Sequence, residues 1–222
     1  MTAIVSLIPT RSIIVSCQAE AGTPTDRLET IIAFAQSAVL GGAAGLRLAG
    51  AEHIAAVRSA GIAVPIIGID KQYSADAPVL ITGDRRQVAS LVNAGAQIVA
   101  FDATPRTRPS SLNEIIDEMH ACGALALADL RHASDAEGAL DAGADALATT
   151  LSVWDLPDYV PDIALVSELV RRWSVPVIAE GNFWTPQDVR RAFDAGAHAV
   201  VIGSAITRPW KIVEYFIRGS TS

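Results

Sequence analysis

Two cysteines in 222 residues leave no material for a disulfide framework. Cys17 and Cys122 stand far apart in apolar stretches, the setting of buried free thiols in a reducing compartment. No run stays apolar for the roughly 18 residues a membrane-spanning helix needs. The first twelve residues lack a basic start, a long apolar run and a small-residue cleavage site, so no secretory leader is expected. Positive charge is scarce as well, with 17 Lys and Arg against 24 Asp and Glu and a net charge of -7. Without a broad cationic field nucleic acid is an unsuitable main partner, and an anionic small molecule needs a local cluster of cations. The four histidines, His53, His120, His132 and His198, show no H-x-x-x-H or H-E-x-x-H spacing, so no metal is expected. These absences lead us to expect a soluble, cytoplasmic protein.

What is present is apolar and periodic. Half the residues are hydrophobic and 18% are charged, enough for a sizeable core without staples. Three junctions repeat: Ala94-Gly95-Ala96, Ala142-Gly143-Ala144 and Ala195-Gly196-Ala197 each close an amphipathic stretch and open an apolar one. Glycine suits a helix end that turns through the left-handed region. Looser copies at Gly41-Gly42, Gly61, Gly123 and Ser174 bring the count to seven strands, and Ser12 to Cys17 adds an eighth at the front. The strands are nearly unbroken runs of Val, Ile, Ala and Leu, the pattern of a parallel sheet covered on both faces. Thr25-Asp26, Ser110-Ser111, Ser134-Asp135 and Thr185-Pro186 mark helix starts. Eight such units predict a single domain over 1–222, a (β/α)8 TIM barrel of the phosphate-binding type. A doubly wound open sheet is the rival, but no G-x-G-x-x-G follows the first strand. Gln72 to Thr82 is a long insertion whose VLIT run predicts a small extra strand.

Active sites of such barrels lie at the carboxyl ends of the strands. There the sequence places Gln18, Arg47, Lys71, Asp102, Asp129, Thr149-Thr150, Glu180 and Gly203-Ser204. The last two loops, Gly181-Asn182 and Gly203-Ser204, suit backbone amides that cup a phosphate. Asp102 with Thr104, Arg106 and Arg108 is open to two readings, a functional loop or a structural salt-bridge loop. Trp154 and Trp184 fall on active-face loops, where they either pack or line a ligand.

The stretches SCQ (Ser16 to Gln18), GLRL (Gly45 to Leu48), PIIGI-x-K (Pro65 to Lys71), DATPRTRP (Asp102 to Pro109), TTLS (Thr149 to Ser152), PVIAEG (Pro176 to Gly181) and VIGSAITRP (Val201 to Pro209) resemble the N-acetylmannosamine-6-phosphate 2-epimerase family. The resemblance implies a usually dimeric barrel, without cofactor or metal, that interconverts N-acetylmannosamine 6-phosphate and N-acetylglucosamine 6-phosphate in sialic acid breakdown. It places Lys71 and Glu180 on the catalytic positions and Gln18, Arg47, Asp129 and Arg208 around the sugar; Thr150 joins them as a substrate-binding candidate from its strand-end position. Gly181, Asn182, Gly203 and Ser204 fall on its phosphate cup. Departures surround the sugar: Gln72-Tyr73 and Ser74-Ala75-Asp76 after the lysine, Leu130-Arg131-His132 after Asp129, Val153-Trp154 after TTLS, and Asn182 where an arginine is frequent.

Epimerisation at carbon 2 removes a proton beside the open-chain aldehyde and returns one to the opposite face, so it needs two acid/base groups or one mobile relay. Lysine becomes a base when burial and a neighbouring cation lower its pKa, and Arg47 on the adjacent strand is the expected neighbour. Lys71 and Arg47 would also steady the enolate, while Glu180 works on the other face. Two alternatives remain: another phosphate-binding barrel isomerase or lyase acting on a different sugar phosphate, and a catalytically weak sugar-phosphate sensor.

Overall fold

A computed structural model describes residues 3–20, 22–73 and 78–221. Eight parallel strands close a barrel: β1 (Ser12–Ser16), β2 (Gly45–Ala49), β3 (Ile66–Ile69), β6 (Ile98–Asp102), β7 (Leu125–Asp129), β8 (Ala146–Ala148), β9 (Val177–Glu180) and β10 (Ala199–Ile202). All eight expected strands are present, and β1 pairs with β10 from Ser12 opposite Ala199 to Val15 opposite Ile202, which completes the circle. The remaining strands, β4 (Lys71–Gln72) and β5 (Leu80–Ile81), form an antiparallel hairpin. This is the small strand expected in the VLIT run, but it pairs with the residues after β3 and does not join the barrel. Ser74-Ala75-Asp76, noted above, lies outside the described residues.

Two apolar layers follow from strand alternation. Ile14, Ile67, Ile98, Leu127, Ile178 and Val201 fill the barrel interior, whereas Val15, Leu46, Ile66, Val99, Leu147 and Val200 face the surrounding helices. Those helices are α2 (Leu28–Leu40), α3 (Ala51–Ser59), α4 (Arg85–Asn93), α5 (Leu112–Ala121), α6 (Asp135–Asp141), α7 (Ile163–Arg172) and α8 (Pro186–Asp194). The three repeated glycines turn as expected, with φ of 115° at Gly95, 102° at Gly143 and 98° at Gly196.

Helix starts agree in part. Ser111 caps α5 in a capping box with Glu114, and Thr185 caps α8 ahead of Pro186. Thr25-Asp26 does not cap α2, which begins at Leu28; Asp26 instead accepts from the Gly22 N–H inside the preceding turn. Ser134 flanks α6 without a side-chain cap, and Asp135 accepts from the Arg131 and His132 N–H groups. Cys17 is buried as expected, but Cys122 is only half-buried because it follows the last turn of α5.

One feature before β1 carried no sequence signal. The short helix α1 (Ala3–Leu7) places Ile4 and, just beyond it, Ile8 against the interior layer at the amino-terminal mouth. His198 fixes this plug: its Nε2 lies 2.8 Å from the Ile8 carbonyl, and its own carbonyl accepts from the Arg11 N–H. After β10 the chain forms α9 (Ser204–Thr207) and α10 (Pro209–Thr221), and α10 packs mainly on α9. Between α8 and α2 an apolar groove remains over β1 and β10, with Ile13, Val189, Ile202 and Ile206 in its walls. Val213 and Phe216 of α10 are exposed, by 57% and 69%.

Candidate active site

Strand direction gathers the polar strand ends at the carboxyl mouth, around a cavity of about 310 Å³. Lys71 and Glu180 line it together, with Gln18, Gly181, Asn182, Gly203, Ser204 and Arg208. Lys71 is delivered by the β4–β5 hairpin, Glu180 by the end of β9.

Glu180 rests on a buried ion cluster. Arg47, 1% exposed, donates to both oxygens of Asp129, Nη1 to Oδ1 at 3.2 Å and Nη2 to Oδ2 at 2.6 Å. Its Nη1 also lies 2.9 Å from Glu180 Oε2. The Thr150 hydroxyl donates to Asp129 Oδ1 at 2.6 Å and lies 3.3 Å from Glu180 Oε2. Thr149 locks the backbone of Glu180, donating to its carbonyl and accepting from its N–H. One arginine thus faces two carboxylates. Burial pushes the Glu180 carboxyl up to about 7; Arg47 opposes that rise, Asp129 adds to it, and the Thr150 hydrogen bond and Lys71 also oppose it. For Arg47, burial works downward but the two carboxylates outweigh it and raise its pKa.

The Lys71 ammonium falls to about 8, first through burial, then through Arg208 and then Arg47, against the opposing pull of Glu180 and Glu20. Arg208, from the far end of the chain, is therefore a stronger neighbouring cation than Arg47, the expected one. Arg47, Asp129 and Thr150 do not line the cavity; all three lie behind Glu180. Gln18, 7% exposed, donates from Nε2 to Ser16 Oγ at 2.8 Å, and its buried Oε1 has no partner.

The other end of the cavity combines tight turns with cationic side chains. Gly181 and Asn182 turn through the left-handed region, at φ 109° and 57°. A Cβ on Gly181 would lie 2.3 Å from Val153 Cγ1, so that glycine is required by space as well as by φ. Gly203-Ser204 opens α9, whose Thr207 hydroxyl donates to the Ser16 carbonyl. Three cations flank these loops, each next to a carboxylate: Arg208 with Glu20 at 2.6 Å, Lys211 with Glu214 at 2.8 Å and Arg218 with Asp158 at 2.8 Å. Lys211 and Arg218 escaped the sequence reading, although they recur seven residues apart, at helical spacing, after Pro209. Tyr159 escaped it too; it packs edge-on against Trp184 at 4.8 Å.

The two open readings resolve. Asp102 is 1% exposed, pairs with Arg106 and accepts from the Thr104 N–H and hydroxyl, while Arg108 donates to the Asp102 and Thr104 carbonyls. That loop is structural. Trp184 lines the cavity, but Trp154 does not; it sits between the guanidinium groups of Arg106 and Arg131, at 5.5 and 5.7 Å.

Fold and site together define a (β/α)8 barrel whose carboxyl mouth brings a lysine and a glutamate into one cavity with two glycine-containing loops. A family model described as "Putative N-acetylmannosamine-6-phosphate epimerase" matches residues 31–221. This chain belongs to that family. It is 43% identical over 207 residues to the bifunctional enzyme NanE/NanK of Brucella melitensis, a match covering 92% of this chain and 40% of that protein's length. A Clostridioides difficile protein whose name repeats the family description is 37% identical over 211 residues, covering 93% of this chain and 94% of that one. The solved N-acetylmannosamine-6-phosphate 2-epimerase of Clostridium perfringens superposes with a TM-score of 0.90 at 33% identity, over 97% of this chain and 95% of that one. A structure described as native KDPGal shares the fold alone, at a TM-score of 0.61 and 19% identity.

Proposed function

We propose that this chain, as one catalytic domain, interconverts N-acetylmannosamine 6-phosphate and N-acetylglucosamine 6-phosphate by moving protons at carbon 2. The observation that carries the reading is the meeting of Lys71 and Glu180 in one cavity, with pKa values drawn toward neutrality from opposite sides. Neutral Lys71 takes the carbon-2 proton of the open-chain sugar and becomes the ammonium. The negative charge of the enolate is then balanced by that ammonium and by Arg208. Protonated Glu180 delivers its proton to the opposite face and becomes the carboxylate, and proton exchange with solvent resets both groups. Gln18 offers its unpartnered Oε1 to a substrate N–H or O–H. Arg47, Asp129 and Thr150 act on the sugar through Glu180, which they hold and charge-balance.

The amides of Gly181, Asn182, Gly203 and Ser204 cup the 6-phosphate, and Arg208 adds charge. Binding energy from the phosphate then positions carbon 2. A homodimer, in which the apolar α10 face of one copy covers the groove over β1 and β10 of the other, accounts for both exposed apolar surfaces. Two free thiols suit a cytoplasmic location. Proton NMR of the purified protein with N-acetylmannosamine 6-phosphate in heavy water tests the activity. The epimer should appear with one solvent deuteron at carbon 2; no epimer, or epimer without deuterium, refutes the reading.

A further inference from the structure

We propose that Thr82 is a positioning residue for Lys71, holding the lysine's backbone at the mouth of the barrel through a two-point clamp on Asp70. The proposal rests on the reading of Lys71 as the base. Thr82 is wholly buried, and its φ of 44° is in the left-handed region. For a β-branched residue that conformation is strained, and a surrounding structure must enforce it. The clamp supplies the reason. Thr82 Oγ1 accepts from the Asp70 N–H at 3.1 Å, while the Thr82 N–H donates to the Asp70 carbonyl at 2.8 Å. Both backbone polar groups of Asp70 are thus engaged by one residue. Asp70 is the single link between barrel strand β3, which ends at Ile69, and Lys71.

The clamp is itself anchored. Asp84, two residues after Thr82, caps α4 in a capping box with Gln87, and the Gln87 side chain also hydrogen-bonds the Asp70 carboxylate. A Cβ on Gly83 would fall 2.3 Å from Leu80 Cδ2, so the chain between Thr82 and the cap packs closely on the Leu80 side chain. The hairpin alone does not call for this arrangement, since Lys71–Ile81 and Gln72–Leu80 already pair. Glycine would take the same turn without strain but would leave the Asp70 N–H without its acceptor. The hydroxyl therefore has a task that backbone pairing does not cover: it fixes where the four-carbon lysine stem begins. A displacement of that origin alters the set of stem conformations that bring the nitrogen to the substrate.

Thr82→Val keeps the shape and removes the acceptor; Thr82→Ser keeps the acceptor. Turnover of N-acetylmannosamine 6-phosphate by Thr82→Ser should stay within about threefold of the parent. Thr82→Val should lose kcat by about 10–100-fold with KM nearly unchanged, the size of effect expected when a reacting group is misplaced by about 1 Å. The acid limb of its pH profile should also move, because Lys71 then sits at a different distance from Arg208. Should Thr82→Val fail to fold by circular dichroism, Thr82→Gly poses the same question without backbone strain and should show the same kcat loss. The proposal is overturned if the variant without the hydroxyl turns over normally, if serine loses as much as valine, or if the loss falls on KM alone. Lys71→Ala, assayed alongside, separates the two readings. An active Lys71→Ala removes the base assignment, whereas an inactive Lys71→Ala beside a normal Thr82→Val removes the clamp alone.

Discussion

At the scale of residues, Lys71 and Glu180 would act as a pair whose protonation states are the reverse of their usual ones, neutral amine and neutral acid. Activity should therefore peak between pH 7 and 8. As pH falls through about 8, Lys71 gains a proton and ceases to be a base; as pH rises through about 7, Glu180 loses the proton it must donate. A bell-shaped profile of kcat/KM with limbs near those values is expected, and a flat profile from pH 6 to 9 counts against the pair. Lys71→Ala should lose roughly a thousandfold or more in turnover, since base and enolate counter-charge go together. Glu180→Gln keeps shape and hydrogen bonding but cannot carry the proton, so no deuterium-labelled epimer should form, while Lys71 can still exchange the carbon-2 proton of the starting sugar with solvent. Both residues were legible because a strand end is a position the sequence defines. The neighbours of Lys71 were not. Arg47 and Lys71 are on consecutive barrel units, yet Arg47 turns to Asp129 and Glu180, and the stronger cation near Lys71 is Arg208 from the last loop. Which way a long arginine leans across a barrel is decided by partners distant in sequence.

At the scale of elements, apolar runs and glycine junctions located every barrel strand, because parallel strands covered on both faces have a composition of their own. Even β8, only Ala146–Ala148, was marked by its Ala-Gly-Ala turn. Helix starts were less legible where tertiary hydrogen bonds replaced a cap, as Asp135 shows by accepting from the N–H groups of Arg131 and His132. The helix α1 left no trace, since five residues with one buried side chain carry no period. Its energetic weight is nonetheless considerable. Ile4 is fully buried against the barrel interior, so Ile4→Ala should cost about 2–5 kcal/mol of stability, read as a lower urea midpoint. Because the plug closes the amino-terminal mouth and the cavity opens at the other, the folded variant should keep its kcat. A large fall in kcat with unchanged stability would show that the plug reaches the site.

At the scale of the whole molecule, an apolar groove stands between α8 and α2 where no helix of the described residues packs, while α10 presents Val213 and Phe216 to solvent. The proposed dimer resolves both. Phe216→Glu should shift multi-angle light scattering at micromolar concentration from dimer toward monomer; a parent that is monomeric throughout defeats this assembly. The joint between β1 and β10 has a separate consequence, for the order of events during synthesis. The first barrel strand pairs with the last, and the loop that fixes the α1 plug is at His198, immediately before β10. During synthesis the plug is made before β1 and lacks the wall that receives it until β10 has followed. Nascent chains arrested before Ala199 should accordingly remain protease-sensitive around the α1 plug, and resistance should arise in one late step rather than unit by unit.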